Sequence, residues 1–269
     1  MDARPIGVFD SGLGGLTTVK SLAKLMPGEK IIYLGDTGRV PYGSRSRDTI
    51  IKYARQDADF LAGFDIKAMV IACNTVCSTA FGFLDTTYDL PVYEVVRPPV
   101  IKAAELTKNG KIGVIGTAAT IRSGAYKAAL ETIRPDLSVF SAPCPLFVPL
   151  VENGRFAEDD GAALIIAEDY LSQLRNAGID VLIMGCTHYP LLRGVISKVM
   201  GQDVTLIDSG AETAKLVADD ITARGIEAPC GGDGSIKYFV TDGIDEFSAL
   251  ASRFMETDVF GMVEQISLE

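Results

Sequence analysis

The sequence predicts an α/β protein of two pseudo-symmetric, doubly wound domains with largely parallel sheets and a cleft between them. Short β-branched apolar runs alternate with longer amphipathic stretches along the whole chain, the pattern of parallel strands covered on both faces by helices. An internal echo divides the chain in two. Ile6-Gly7-Val8-Phe9-Asp10 resembles Ile112-Gly113-Val114-Ile115-Gly116, and Ala68-Met69-Val70-Ile71-Ala72-Cys73-Asn74-Thr75 resembles Asp180-Val181-Leu182-Ile183-Met184-Gly185-Cys186-Thr187. Either match alone is what any two α/β strands would give. Two in the same order point to a duplicated architecture. The 269 residues suffice for two modest domains. Residues 1–97 with 208–269 are expected to form the first, carrying Cys73, and residues 98–207 the second, carrying Cys186.

Each strand is assigned to a short apolar run and each helix to the amphipathic stretch after it. The run Ile6–Asp10 leads through the Gly12-Leu13-Gly14-Gly15 turn into helix Leu16–Met26. Strand Lys30–Gly35 precedes helix Ser46–Gly63, strand Ala68–Ala72 precedes helix Val76–Tyr88, and strand Pro91–Val96 precedes helix Pro98–Lys108. The second half repeats the alternation: Lys111–Gly116 then Ser123–Ile133, Ser138–Ser141 then Glu158–Ala177, and Val181–Gly185 then Leu191–Met200. Strand Val204–Asp208 leads into helix Ala211–Arg224, and strand Ile236–Thr241 into helix Glu246–Glu256.

Composition excludes several classes. Apolar residues make up 48% and charged residues 22%, values of a globular chain rather than a disordered one. No apolar run approaches the roughly 18 residues needed to cross a bilayer. The chain enters its first apolar strand with no charged segment followed by an apolar one, so neither secretion nor anchoring is expected. Five cysteines at irregular spacing do not make a disulfide framework and fit a reducing cytoplasm. With a net charge of −10 and no Lys/Arg cluster, nucleic acid is not an expected partner, nor is a membrane. An anionic substrate would have to be held locally by backbone N–H and hydroxyl donors.

In open α/β sheets ligands bind beyond the carboxyl ends of the strands, where Cys73 and Cys186 both lie. Halves facing each other about a pseudo-twofold axis would bring the two thiols to one cleft. Taking an α-proton from one face of a carbon and returning it to the other needs two bases, one deprotonated and one protonated. Cysteine suits both states, with an ordinary pKa near ~8.5. Each cysteine precedes an expected helix. A helix N-terminus stabilises an anion by about 0.3–1 kcal/mol, up to about 2 in partly buried sites, against about 1.36 kcal/mol per pKa unit, so neighbours must supply the remainder. A lone cysteine is usually a core residue, and Cys77, Cys144 and Cys230 are read that way. His188, the single histidine, stands two residues from Cys186 and could donate to a thiolate or relay a proton. The alternative is a histidine satisfied in a turn. Asp10 precedes the glycine-rich turn, whose N–H groups could face a carboxylate or simply make a tight connection. Tyr42-Gly43 reads equally as a turn.

Several segments together resemble the glutamate racemase family, in its order and spacing as far as Asp208-Ser209. They are Phe9-Asp10-Ser11-Gly12-Leu13-Gly14-Gly15-Leu16-Thr17, Gly35-Asp36-Thr37 with Pro41-Tyr42-Gly43, Ala72-Cys73-Asn74-Thr75, Gly113-Val114-Ile115-Gly116-Thr117, and Gly185-Cys186-Thr187-His188-Tyr189-Pro190-Leu191-Leu192. The resemblance implies a cytoplasmic enzyme that interconverts L- and D-glutamate with neither pyridoxal phosphate nor metal and supplies D-glutamate for peptidoglycan. It implies Cys73 as the base toward D-glutamate and Cys186 toward L-glutamate, assisted by Asp10 and His188, with Asp36 and Glu152 as further charged support. Asp10-Ser11, Tyr42-Gly43, Asn74-Thr75 and Thr187-His188, with Thr117, match the substrate-binding positions. The expected partner is glutamate, and a homodimer is the assembly considered.

The chain departs from the family pattern at Cys77, a third thiol close enough to oxidise with Cys73, and at Glu94-Val95-Val96-Arg97-Pro98-Pro99 between the halves. It also begins without the extension found where members are activated by a cell-wall precursor, which implies unregulated activity. The other readings are an aspartate or hydantoin racemase, a Cys–His hydrolase, a zinc site on Cys73, Cys77 and His188, and a two-lobed amino-acid-binding module.

Overall fold

The computed structural model describes residues 1–229 and 232–268; Cys230 lies outside them. The first half runs β1 (Ile6–Asp10), α1 (Leu16–Leu25), β2 (Lys30–Gly35), α2 (Arg47–Ala62), β3 (Ala68–Ile71), α3 (Asn74–Thr87) and β4 (Val92–Glu94). The second runs α4 (Arg97–Leu106), β5 (Lys111–Gly116), α5 (Ala118–Ser123), α6 (Ala125–Ile133), β6 (Ser138–Pro143), α7 (Phe147–Glu152), α8 (Gly161–Ala177), β7 (Val181–Gly185), α9 (Arg193–Met200) and β8 (Thr205–Asp208). The chain then continues through α10 (Ser209–Ala223), β9 (Ser235–Val240), α11 (Ile244–Met255) and β10 (Val263–Gln265).

Two parallel sheets result. One has the order β10-β9-β2-β1-β3-β4 and the other β6-β5-β7-β8. The sequence echo is thus a topological one: β1 and β5 each lie between the next two strands of their own half, and β3 and β7 lead to the two cysteines. The closing segment adds β9 beside β2 and β10 beyond it, and α10 packs on α1.

Strand alternation gives each sheet two apolar faces. Ile6, Val8, Ile31, Tyr33 and Val70 pack in one continuous core with Leu182 and Met184 of the second sheet. Phe9, Ile32, Leu34, Met69 and Ile71 pack in another with Ile112, Val114, Val181 and Ile183. Both cores therefore cross from one lobe to the other. At the amino ends of the first sheet's strands, fully buried Lys67 pairs with Glu29 at 2.6 Å and donates to the carbonyls of Asp2 and Ile226. That polar staple lies away from the carboxyl ends, where the cysteines are.

The expected elements are present, and the differences have local causes. The stretch expected as one helix over Ser123–Ile133 is two helices, because Gly124 turns at φ +68° between them. Thr117 starts the first of these by accepting from Thr120 N–H at 3.2 Å. The run Pro91–Val96 narrows to three strand residues: the Glu94 carboxylate turns back to accept from the N–H groups of Val96 and Arg97, opening α4. The expected helix Leu191–Met200 begins as a 3-10 turn over Tyr189–Leu192 and becomes α-helical at Arg193. The sequence did not indicate α7, β10 or the 3-10 turns Thr37–Arg39 and Tyr42–Ser44. Pro149 falls in the first turn of α7, where a missing N–H costs nothing.

Candidate active site

The carboxyl ends of β1 and β3 face those of β5, β6 and β7 across a cavity of about 410 Å³, the size of a small-ligand site. Cys73 and Cys186 both line it. Cys73 packs with the core that holds Phe9 and Ile71, and Cys186 with the core that holds Val8 and Met184. The thiols thus belong to different apolar cores and line one cavity.

From the first lobe, Asp10, Ser11, Tyr42, Gly43, Asn74 and Thr75 line this cavity; from the second come Thr117, Glu152, Thr187 and His188. The lobes touch at its edges. Thr75 Oγ1 and Thr117 Oγ1 are 3.1 Å apart, and Thr17 Oγ1 donates to Thr187 O at 3.1 Å. Gly14 makes the second contact possible: a Cβ there would lie 2.1 Å from Thr187 Oγ1 and 2.5 Å from His188 Nδ1.

The two cysteines have different surroundings. Cys73 caps α3 and donates to Ser11 Oγ at 3.3 Å. Burial, then the charge of Asp10, nevertheless push its thiol up to about 12. The help expected from the helix N-terminus is outweighed, and Cys73 rests as a thiol. Cys186 is not at a helix start, since the 3-10 turn beginning at Tyr189 intervenes. Its neighbour is His188, with Nδ1 4.0 Å from Sγ, and His188 Nε2 lies 3.2 Å from Glu152 Oε1. Burial pulls the imidazole down, but its contacts with Cys186 and Glu152 outweigh this and raise it to about 10. The histidine is therefore a buried cation held between a sulfur and a carboxylate, not merely a turn residue.

Asp10 uses the glycine-rich turn for itself. Its Oδ2 accepts from Gly12 N–H at 3.2 Å and Gly15 N–H at 3.1 Å, so those donors do not face a ligand. Burial pushes its carboxyl up despite His188 and those two N–H groups. The His188 imidazolium sets a positive charge beside the cavity, which Glu152 and Asp10 face with carboxyl groups. No Lys or Arg lines it among the described residues.

Three placements, those of Asp36, Tyr42 and Cys144, differ from what the sequence suggested. Asp36 is fully buried and does not line the cavity; its Oδ2 accepts from Tyr42 Oη and from Arg39 Nε. Tyr42 accordingly lines the cavity with its hydroxyl turned away. Cys77 is a core residue, as read from the sequence, and does not line the cavity: its thiol donates to Ile71 O at 3.2 Å and accepts from Val95 N–H at 3.5 Å, facing the packing side one turn along α3. Cys144, read as core, does line it, because β6 extends to Pro143 and delivers the next residue to the same sheet end. The unforeseen α7 adds Val148 and Pro149. Among the described residues no group of three His, Cys, Asp or Glu side chains is placed to hold a metal ion. No helix among them is long and apolar enough to cross a membrane.

The Asp/Glu/hydantoin racemase family model matches residues 16–217. A glutamate racemase of Geobacter metallireducens is 45% identical over the whole chain and 98% of its own length. Among solved structures, a glutamate racemase isoform from Bacillus anthracis superposes with a TM-score of 0.95 at 37% identity, covering 100% of this chain and 99% of that one. The Francisella tularensis glutamate racemase in complex with D-glutamate gives 0.92 at 37% identity with the same coverage.

Proposed function

The chain belongs to the aspartate/glutamate/hydantoin racemase family, and on that footing we propose that it interconverts L- and D-glutamate by two-base proton transfer between Cys73 and Cys186. One observation supports the mechanism: both thiols line a single cavity while packing in different apolar cores. A small carbon centre between them is then exposed to sulfur on each face.

The two surroundings support a choice of starting roles. Cys73, held as a thiol, is the acid. Cys186, paired with the His188 cation, is the base, in the arrangement that accepts L-glutamate. Its thiolate takes the α-proton from one face, leaving the electron pair on the α-carbon. The Cys73 S–H then delivers its proton to the opposite face. D-glutamate runs the same exchange in reverse. Asn74 Oδ1, buried and without a hydrogen-bond partner among the described residues, is an acceptor for the substrate ammonium. The hydroxyls of Ser11, Thr75, Thr117 and Thr187 are donors for its carboxylates. The two lobes are proposed as residues 1–97 with 208–269 and residues 98–207, and the enzyme as a cytoplasmic homodimer supplying D-glutamate for peptidoglycan.

Circular dichroism of L-glutamate and of L-aspartate incubated with the protein tests the substrate assignment. Decay of the glutamate signal to zero at a rate far above that of aspartate is expected. Equal rates, or decay for aspartate alone, would overturn it. The Cys186, His188 and Glu152 contacts also suit a nucleophilic hydrolase, in which Cys73 and Asp10 would have no role; covalent labelling of Cys186 by an acyl donor without racemisation would favour that reading.

A further inference from the structure

Behind Tyr42 lies a group of polar side chains that the proton transfer does not use. Helix α2 buries Ile50, Ala54, Ala58 and Leu61 on one face, and Asp57 is buried on that same face with no exposure. Tyr42 Oη lies within hydrogen-bond distance of Asp36 Oδ2 and 3.0 Å from Asp57 Oδ2. A phenol has one hydrogen and can donate to only one of them. The remaining contacts are unequal. Asp36 also accepts from Arg39 Nε at 2.6 Å and from Thr241 Oγ1 at 2.8 Å, whereas among the described residues Asp57 otherwise accepts only from Arg39 Nη2, at 2.9 Å on Oδ1. Two buried carboxylates therefore share one guanidinium.

We propose that Asp57 is a protonated carboxylic acid and a positioning residue: its Oδ2–H donates to Tyr42 Oη, whose own hydrogen goes to the Asp36 carboxylate. This arrangement uses every contact and balances one cation against one anion. Burial pushes the Asp57 carboxyl well up, and the nearby charge of Asp36 pushes it the same way. The acid locks the loop holding Tyr42 and Gly43 onto α2. Arg39 continues the clamp, stacking 4.2 Å over the Tyr53 ring and donating to Gln56 Oε1 at 2.6 Å. Gly43 in turn lies against Thr117 of the other lobe, where a Cβ would come within 3.1 Å of the threonine Cβ. Asp57 thus holds a cavity wall without touching the cavity.

The kinetic part of the test rests on the racemase reading; the spectroscopic part does not. Asp57→Asn replaces the acid O–H with an amide N–H and keeps the acceptor for Arg39. It is expected to hold kcat/KM for glutamate within about threefold of wild type, whereas Asp57→Ala raises KM about tenfold or more with a smaller effect on kcat. Asp36→Asn, which brings amide hydrogens to a site where three donors already converge, is expected to be worse than Asp57→Asn. The difference between infrared spectra of the wild type and Asp57→Asn at neutral pH should contain a carboxylic-acid carbonyl band of the wild type that shifts in deuterium oxide. Absence of that band from the difference spectrum, or equal damage from the asparagine and alanine variants, would overturn the proposal. The band together with no glutamate racemisation by the wild type would sustain the protonated acid and sink the racemase reading alone.

Discussion

His188 and Cys73 each retain a proton that an ordinary residue of their type would release sooner, and Gly14 sets where the first of them stands. Replacing Gly14 by alanine drives a methyl group into Thr187 and His188 and displaces the Cys186 segment. A misplacement of about 1 Å can cost roughly a hundredfold in rate, so Gly14→Ala is expected to lower kcat/KM by about that factor. Circular dichroism of glutamate racemisation measures it. His188→Asn removes the cation beside Cys186. Because the enantiomers have equal free energy, kcat/KM must fall by the same factor in both directions, by about 10²–10⁴ for loss of a proton-transfer assistant. A direction-dependent loss in kcat/KM would show that the measured reaction is not a simple racemisation. At this scale the sequence pointed to both cysteines and to most of the polar side chains that line the cavity, because strand ends and motif order place them. It did not reveal Asp57 or Cys144. Asp57 is an acid on an otherwise apolar helical stripe, a signal present in the spacing Ile50, Ala54, Ala58, Leu61 but overlooked. Cys144 depends on the length of β6, which the sequence left two residues short.

Strands were legible because each is a compact apolar run, and the four that open or centre the sheets begin and end where expected. Helix ends were less so. The split at Gly124 needs a positive φ that a glycine permits but does not announce, and the six-residue α7 contains a proline. Gly124 has no neighbouring atom that a Cβ would meet, so Gly124→Ala isolates the backbone cost. A non-glycine residue in the left-handed region costs about 1–2 kcal/mol. Urea unfolding should show a loss of that size, with no change in the dependence of stability on urea concentration. Asp160, whose Oδ1 accepts from the N–H groups of Ala162 and Ala163 at the start of α8, gives a comparable test of capping: Asp160→Ala should cost about 1 kcal/mol.

Over the whole molecule, the duplicated strand order explains why two cysteines far apart in sequence line one cavity, and why each draws on a different apolar core. The contacts of His188 with Cys186 and Glu152, and the burial of Cys73, make stability fall in alkali. His188 is raised from 6.5 to about 10, so across that interval the folded chain holds a proton that the unfolded chain has released. Its contribution is complete below pH 6.5 and is lost as pH rises through 10. Cys73, raised from 9.0 to about 12, continues the decline above pH 9. Denaturant unfolding between pH 7 and 10 should show stability falling by up to about 1.4 kcal/mol per pH unit for the histidine proton, and His188→Gln should flatten it. The claim on which the mechanism depends is the assignment of one sulfur to each face of the α-carbon, and proton NMR of glutamate in deuterium oxide tests it most directly. The wild type should exchange the α-hydrogen of both enantiomers as it racemises them. Cys73→Ser and Cys186→Ser should each abolish racemisation, and any residual exchange should be confined to the enantiomer served by the remaining cysteine. Ordinary racemisation by either variant, or residual exchange of both enantiomers alike, would contradict it.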